Sequence, residues 1–277
     1  MKKLFLVTLL FTINVLAQAK ERILLISDID DTIKVSHVIS YKSWSPSVLF
    51  RTWDSNTPFA GMASLYQLVL NENPGVNKVA YLSNAPSKDT GVEYLQNSHE
   101  AFLRNNKFPQ GQLILRDVIF DSDHKNKTIR KLVAEHNPTL VMMVGDNGEK
   151  DVDVYEQARK ELEEQGIKSV IYIHQLYSSR DKDEVGKTLH PGQIGYATSV
   201  EVALDLHQKG LMADAQMTWM YEKVIPYILS VRNNFFDVLT SISFPSFKKC
   251  NDFRWVWSTK SHPSLPAYSE YVQDTCR

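Results

Sequence analysis

Continuous apolar runs alternate with amphipathic segments along most of this chain. Five apolar runs have the length and composition of strands that are buried on both faces of a sheet. They span residues 23–27, 78–83, 112–116, 140–144 and 169–173. The segments between them have helical patterns, at residues 61–71, 88–106, 126–136 and 151–165. Strands and helices in this strict alternation predict an α/β fold, namely a Rossmann-like parallel sheet with helices on both faces.

Two parts of the chain depart from that alternation. Residues 35–59 follow the first strand and are rich in serine, tryptophan, tyrosine and proline. They predict a flap over the strand ends, because long insertions in compact domains are usually functional. Two further helical patterns lie at residues 199–209 and 213–229. An aromatic tail follows, and its residues 251–275 show little helical or strand periodicity. We therefore predict a domain over residues 20–207 and a mainly helical C-terminal extension over residues 208–277.

The N-terminus has the pattern of a secretory signal peptide. Lys2 and Lys3 precede an apolar run at residues 4–16, and residues 17–19 (Ala-Gln-Ala) supply a small-residue cleavage site. The run is shorter than the roughly 20 residues that cross a bilayer, which disfavours the alternative of an uncleaved anchor. We predict a signal peptide at residues 1–19, no transmembrane segment after its cleavage, and a periplasmic or secreted protein.

Charge and cysteine content narrow the class of protein. The 277 residues include 31 basic and 32 acidic side chains, for a formal charge of −1. This balance gives no sign of a nucleic-acid partner. Cys250 and Cys276 are the only cysteines, and in an exported chain they favour a disulfide over the alternative of two free thiols.

Three carboxylates follow the first predicted strand within four residues, at Asp28, Asp30 and Asp31. In parallel sheets the chemistry lies at the carboxyl ends of the strands. Carboxylates placed so close at a buried strand end repel one another and call for a compensating cation. An all-oxygen site with room for a phosphate suits Mg²⁺. Taken alone, the same pattern is also that of an acidic turn.

Other polar residues follow the remaining strands. Ser83 and Asn84 end the second strand, where a hydroxyl can hydrogen-bond a phosphoryl oxygen but where turn formers are also common. Asp146 and Asp151 follow the fourth strand, in a sequence that also suits a solvated loop. Lys125 begins a helix between these clusters and offers a positive charge, although a single lysine is more often solvated surface.

Together these motifs resemble the haloacid dehalogenase superfamily of phosphatases. The four motifs of that superfamily occur in order, at residues 28–32, at Ser83, at Lys125 and at residues 145–151. Four segments have sequences similar to those of the catalytic domain of the actin-patch-associated phosphatidate phosphatases, namely residues 27–34, 58–62, 108–117 and 145–151. This resemblance runs from about residue 23 to residue 173, and it departs at Asn84 and Ala85, where that family usually has a second serine.

The resemblance implies a mechanism for the first two motif aspartates. Asp28 would be the nucleophile that forms an aspartyl-phosphate, and Asp30 would be the general acid and base. Mg²⁺ would be held by Asp28, by the backbone carbonyl of Asp30 and by Asp146. The metal would reduce repulsion between the nucleophile and the anionic phosphate.

The resemblance also implies a set of substrate-binding residues, namely Thr32, Ser83, Asn84 and Lys125. Of these, Ser83 and Lys125 would hold the phosphate oxygens in line for attack and so belong to the catalytic group. Spacing to Ile129 favours Lys125 over Lys127 as the motif lysine. Asp151 would orient Lys125 or a metal ligand.

The implied substrate is phosphatidate or a related lipid phosphomonoester, met at a lipid surface. One alternative is a phosphatase of a small soluble phosphomonoester. A second is a catalytically silent binding module, which the pair Asp28 and Asp30 disfavours, because binding alone needs no acid beside a nucleophile. The sequence specifies no protein partner.

Overall fold

A computed structural model describes residues 21–37, 56–73, 78–91, 93–118, 121–180, 186–230 and 241–277. The predicted signal peptide at residues 1–19 lies outside these described residues, as do residues 38–55 of the predicted flap.

The centre of the fold is a six-stranded sheet in the order β3-β2-β1-β4-β5-β6. Every neighbouring pair of strands is parallel. The strands are β1 (Ile23–Ser27), β2 (Lys78–Pro86), β3 (Gln112–Arg116), β4 (Leu140–Asp146), β5 (Lys168–His174) and β6 (Ile194–Tyr196). The predicted Rossmann-like α/β fold is confirmed. Only β6 was not predicted, because three residues are too few to show a periodicity.

Helices cover the sheet. They are α1 (Met62–Glu72), α2 (Glu93–Asn105), α3 (His124–His136), α4 (Asp151–Glu164), α5 (Ser199–Gln208), α6 (Asp214–Trp219), α7 (Ile225–Ser230) and α8 (Leu265–Thr275). The predicted helix at 88–106 is divided, because a 3₁₀ turn at Lys88–Thr90 ends at Gly91 with φ of 85°. A π-helical turn at Met220–Val224 joins α6 to α7.

Helix α8 contradicts the expectation that residues 251–275 lack regular structure. Leu265, Tyr268 and Val272 are fully buried, and their spacing of three and four residues is that of one helix face. The helix has a proline in its first turn, where the missing N–H costs no hydrogen bond. The described part of the C-terminal extension therefore includes helices, as predicted, and it ends in a packed helix rather than in irregular chain.

The core has two layers because successive side chains of each strand point to opposite faces. Ile23 and Leu25 of β1 join the layer that includes α1, α2 and the helices of the C-terminal extension. Leu24 and Ile26 join the layer formed with α3 and α4. Residues of the extension thus share a core with the sheet, and the domain boundary at residue 207 remains a prediction.

The strand order reverses between β1 and β4, which is where sheets of this topology bind their ligands. Ser27 lies opposite Val144 in this pair, so the first residues beyond β1 face the last residues of β4. Among the described helices, none is both long and apolar enough to cross a membrane.

Candidate active site

Three buried aspartates converge at the topological switch point. Asp28 directly follows β1, and its N–H donates to the Val144 carbonyl at 2.9 Å. Asp146 is the last residue of β4, and Asp151 is the first residue of α4. Their carboxylate oxygens lie within 4.8 Å of one another, and each residue is at most 5% exposed.

Gly145 makes this approach of α4 to β4 sterically accessible. A Cβ atom at position 145 would lie 2.5 Å from Asp151 Oδ2, which is well inside van der Waals contact. The absence of a side chain at Gly145 therefore lets the Asp151 carboxylate reach the other two aspartates.

Lys125 is the cation inside this aspartate cluster. Its Nζ lies 2.7 Å from Asp28 Oδ1 and 2.5 Å from Asp151 Oδ1, and its side chain is 3% exposed. Lys127 instead is 60% exposed and pairs with Asp121. Of the two lysines between which the sequence left a choice, the structure brings only Lys125 to the aspartates.

Burial and charge set the protonation of the cluster. Burial raises the pKa of Asp28, and although the Lys125 ammonium opposes this, the Asp151 carboxylate adds to it. Burial also raises the pKa of Asp146, with further contributions from Asp151 and Asp28. Burial would lower the pKa of Lys125, but Asp151 and Asp28 outweigh it and hold that pKa above its usual range. One ammonium thus faces three carboxyl groups, an excess of negative charge that a bound cation would compensate.

The side chains of the aspartate cluster fit a hard metal ion. All the ligand atoms are carboxylate oxygens, which Mg²⁺ and Ca²⁺ prefer. Asp151 Oδ2 is buried and has no hydrogen-bond partner, and a buried polar atom of this kind usually marks a missing water or ion. Asp28, Asp146 and Asp151 can therefore hold a metal ion.

Asp30 turns its carboxylate away from the aspartate cluster. Its Oδ2 lies 3.1 Å from His99 Nε2, while its Oδ1 accepts from Ser36 Oγ at 2.6 Å and lies 3.7 Å from Lys34 Nζ. Burial would raise the pKa of Asp30, but His99, Lys34 and the Ser36 hydroxyl together hold it well below its usual range. The Asp30 carboxylate is thus ionised and separately bound, and its predicted part in metal binding concerns the backbone carbonyl alone.

The remaining predicted residues lie around Asp28. Thr32 Oγ1 donates to Asp28 Oδ2 at 3.2 Å. Ser83 is 3% exposed, and its Oγ accepts the Ala85 N–H at 3.0 Å. Because Ser27 pairs with Tyr81, Ser83 lies two residues further along β2, level with the residues that follow β1. Asn84 is the next residue and is half-buried.

Sequence reasoning missed three residues that contact the turn after β1, namely Tyr177, His174 and His99. Asp31 has φ of 59° and is fully buried, and its Oδ2 accepts from the Tyr177 hydroxyl at 2.5 Å. His174 Nδ1 lies 2.9 Å from the Asp31 carbonyl. His99 is also fully buried. The available signal for His99 was its place with Leu95 and Phe102 on the buried face of α2.

A comparison with protein families matches this part of the chain. Residues 23–175 match the family described as phosphatidate phosphatase APP1, catalytic domain. No curated protein and no solved structure gives a significant match. The matched residues span more than half of the chain and include the aspartate cluster, Lys125, Asp30 and Ser83. The chain therefore belongs to the family of the phosphatidate phosphatase APP1 catalytic domain.

Proposed function

We propose that this protein is a Mg²⁺-dependent phosphatase of the haloacid dehalogenase type that hydrolyses phosphatidate or a related lipid phosphomonoester through an aspartyl-phosphate on Asp28. The observation that carries the proposal is the contact of Lys125 Nζ with both Asp28 and Asp151, next to Asp146 at the switch point. Membership of a phosphatase family supports the reaction class, and its name supports the lipid substrate.

The metal would be held by the carboxylates of Asp28 and Asp146 and by the Asp30 carbonyl, with Asp151 as a further carboxylate beside them. When bound, it would supply positive charge that lowers repulsion between Asp28 and the phosphate and stabilises the charge of the transition state. Asp151 Oδ2 is buried and has no hydrogen-bond partner among the described residues, which supports a cation bound beside it.

Asp28 would attack phosphorus and divide one difficult hydrolysis into two easier steps. Thr32 donates a hydrogen bond to Asp28 Oδ2 and so fixes the direction of the carboxylate. The Lys125 ammonium, Ser83 and Asn84 would bind the phosphate oxygens and hold the reacting groups in line.

Asp30 would serve as the acid and then as the base. The lowered pKa of Asp30 favours its carboxylate form, which suits the base that activates water in the second step. A dianionic phosphate bound nearby raises the pKa of a carboxylate, because like charges favour its protonated form. Substrate binding would thereby help Asp30 to take up the proton that it gives to the leaving oxygen.

We further propose that the protein is exported to the periplasm or the outside of the cell. The signal-peptide pattern at residues 1–19 supports export. The disulfide between Cys250 and Cys276 supports an oxidising compartment. Mass spectrometry of the exported protein should find a chain that starts at Lys20, and a retained Met1 would contradict cleavage.

A substrate panel tests the proposed function. Phosphatidate vesicles and soluble phosphomonoesters are compared, each with Mg²⁺ and with excess chelator, and with Asp28→Asn beside the wild type. We expect Mg²⁺-dependent turnover of phosphatidate that chelator and Asp28→Asn both abolish. Faster turnover of soluble esters would move the substrate to that class. Absence of turnover with every substrate would instead favour a catalytically silent binding module.

The roles of the two motif aspartates are separable. Asp30→Asn should still form the phosphorylated enzyme from esters with good leaving groups, because these leave without an acid. Asp28→Asn should form none. Phosphoenzyme trapping with both variants decides the assignment, and equal loss in the two would contradict it.

A further inference from the structure

A cavity of about 580 Å³ opens at the carboxyl ends of β5 and β6, one strand further along the sheet than Asp146. None of the three clustered aspartates lines it. Its lining consists of Gln175 and Gly195, the segments 179–180, 187–189 and 193–194, and residues 252, 254, 256 and 257. Of the lining residues only Gln175 falls within the family match at residues 23–175, so the cavity belongs to what this chain adds after the family domain.

Gln175 brings an unsatisfied amide to the cavity. The residue is 7% exposed, and no described residue hydrogen-bonds its side-chain amide. Gly195 makes room for it, because a Cβ atom at position 195 would lie 2.4 Å from Gln175 Oε1. The amide therefore keeps its hydrogen-bonding capacity available to a ligand in the cavity.

Charge in the cavity is only partly compensated. Arg180 pairs with Asp252 at 2.9 Å, and Lys187 pairs with Asp153. Arg254 donates through Nη1 to two backbone carbonyls, at 2.7 and 2.6 Å, and no carboxylate of a described residue pairs with it. Among the described residues, no carboxylate therefore compensates the charge of Arg254 in this cavity.

The rest of the lining is largely aliphatic and aromatic. Leu189, Ile194 and Val256 line the cavity together with Trp257. Val256 is 76% exposed, whereas Trp257 is 5% exposed and is part of the core. The described lining thus combines the buried indole of Trp257, the exposed side chain of Val256, the Gln175 amide and the Arg254 guanidinium.

We propose that this cavity binds an anionic amphiphile, whose head group meets Arg254 and Gln175 and whose aliphatic chain lies along Ile194 and Val256. The volume falls in the range of small-molecule sites, which combine apolar walls with a few placed polar groups. A carboxylate and a phosphate ester on an alkyl chain share this chemistry. The site is separate from the aspartate cluster and does not depend on the hydrolysis proposed for it.

Calorimetric titration of the full chain tests the site with two probes below their micellar concentrations. Decanoate is titrated into the wild type, and decyl phosphate into Asp28→Asn, so that hydrolysis does not interfere. We expect one equivalent of at least one probe to bind, and the stronger of the two identifies the head group. Decanol, which lacks the charge, should bind about tenfold more weakly or worse.

Two variants and one control locate the binding. Arg254→Gln removes the free cation, and Gly195→Ala places a methyl group against the Gln175 amide; each should weaken binding about tenfold. Arg104→Gln, at an exposed arginine of α2, should leave it unchanged. Arg254 is itself exposed, so that variant carries the test if Gly195→Ala does not fold. Absence of saturable binding, equal binding of decanol, or unchanged affinity in Arg254→Gln would each overturn the proposal.

Discussion

His99 Nε2 lies 3.1 Å from Asp30 Oδ2, and this contact joins the middle of α2 to the turn after β1. The histidine is fully buried, and its Nδ1 has no hydrogen-bond partner. Its polar contact is thus directed at one carboxylate oxygen, while Ser36 holds the other. His99 is therefore placed to fix the orientation of Asp30.

His99→Ala should slow the enzyme selectively on substrates with poor leaving groups. If Asp30 is the general acid, losing its orientation removes acid catalysis, which contributes about 100-fold or more to such reactions. Aryl phosphates, whose leaving groups need no acid, should lose much less. The measurement is kcat/KM for alkyl and aryl phosphates with the same variant.

Rescue distinguishes positioning from packing. His99→Gln keeps an N–H donor at about the position of Nε2 and should restore most of the alkyl phosphate activity. His207→Ala, at a half-exposed histidine that pairs with Asp214, is the matched control and should behave as the wild type. An equal loss on alkyl and aryl phosphates would assign His99 a structural role only.

Lys125→Met should inactivate the enzyme, whereas Lys127→Met should not. Lys125 is buried between Asp28 and Asp151, and the loss of one preorganised charge of this kind typically costs about 100-fold or more in kcat. Lys127 is 60% exposed, and a surface ion pair of this kind contributes little to stability. The kinetics of both variants on one substrate decide the matter, and similar activity in the two would remove Lys125 from the mechanism.

The aspartates and Lys125 could be predicted because general rules link sequence to position. Apolar runs identify buried strands, and parallel strands bring their carboxyl ends to one edge of the sheet. Asp28 and Asp146 therefore had to lie close together. Asp151 and Lys125 begin the helices α4 and α3, which connect strands at that same edge.

The partners of Asp30 could not be predicted in the same way. His99 is 69 residues from Asp30 along the chain, and a histidine on an apolar helix face does not indicate which carboxylate it meets. Helix α8 was missed for a different reason, since its three buried apolar positions follow a long irregular stretch that hides the periodicity. The cavity at Gln175 depends on tertiary contacts between β6 and the tail, which no local pattern specifies.

Glu201 should make the protein less stable as the pH rises. It is fully buried at the start of α5, and burial raises its pKa from 4.5 to about 7, although hydrogen bonds from Thr198 and Tyr268 and the charge of Lys248 oppose this. Between these values the folded state keeps a proton that the unfolded chain has lost. Linkage therefore removes stability on the order of 3 kcal/mol as the pH rises from 4.5 to 7.

Glu201→Gln should remove the part of that dependence that Glu201 contributes, because an amide does not titrate. The measurement is the free energy of unfolding in denaturant at several pH values between 4.5 and 7. Burial lowers the pKa of Lys248 to about 7, and Glu201 opposes this, so Glu201→Gln lowers the pKa of Lys248 further. The slopes are therefore compared at the acidic end of the range, where Lys248 stays protonated. Glu270→Gln, at an exposed position of α8, is the control. A slope in Glu201→Gln equal to that of the wild type would disprove the role of Glu201.

The bond between Cys250 and Cys276 should stabilise the fold without being needed for catalysis. It closes a loop with a sequence separation of 26, which corresponds to about 3 kcal/mol in the chain-entropy account. Removing it in the double variant Cys250→Ser with Cys276→Ser should lower the free energy of unfolding by about that amount.

The folded variant should keep its activity on a soluble phosphomonoester, because no residue of the aspartate cluster contacts either cysteine. Reduced wild type is the control for the bridge alone, and any additional loss of stability in the variant comes from the polar serine hydroxyls at these buried positions. The tail also contacts the chain just after β5, because the Lys249 N–H donates to the Leu176 carbonyl at 2.7 Å. Loss of activity in protein that remains folded would therefore mean that the bridge positions the strand ends as well as the tail.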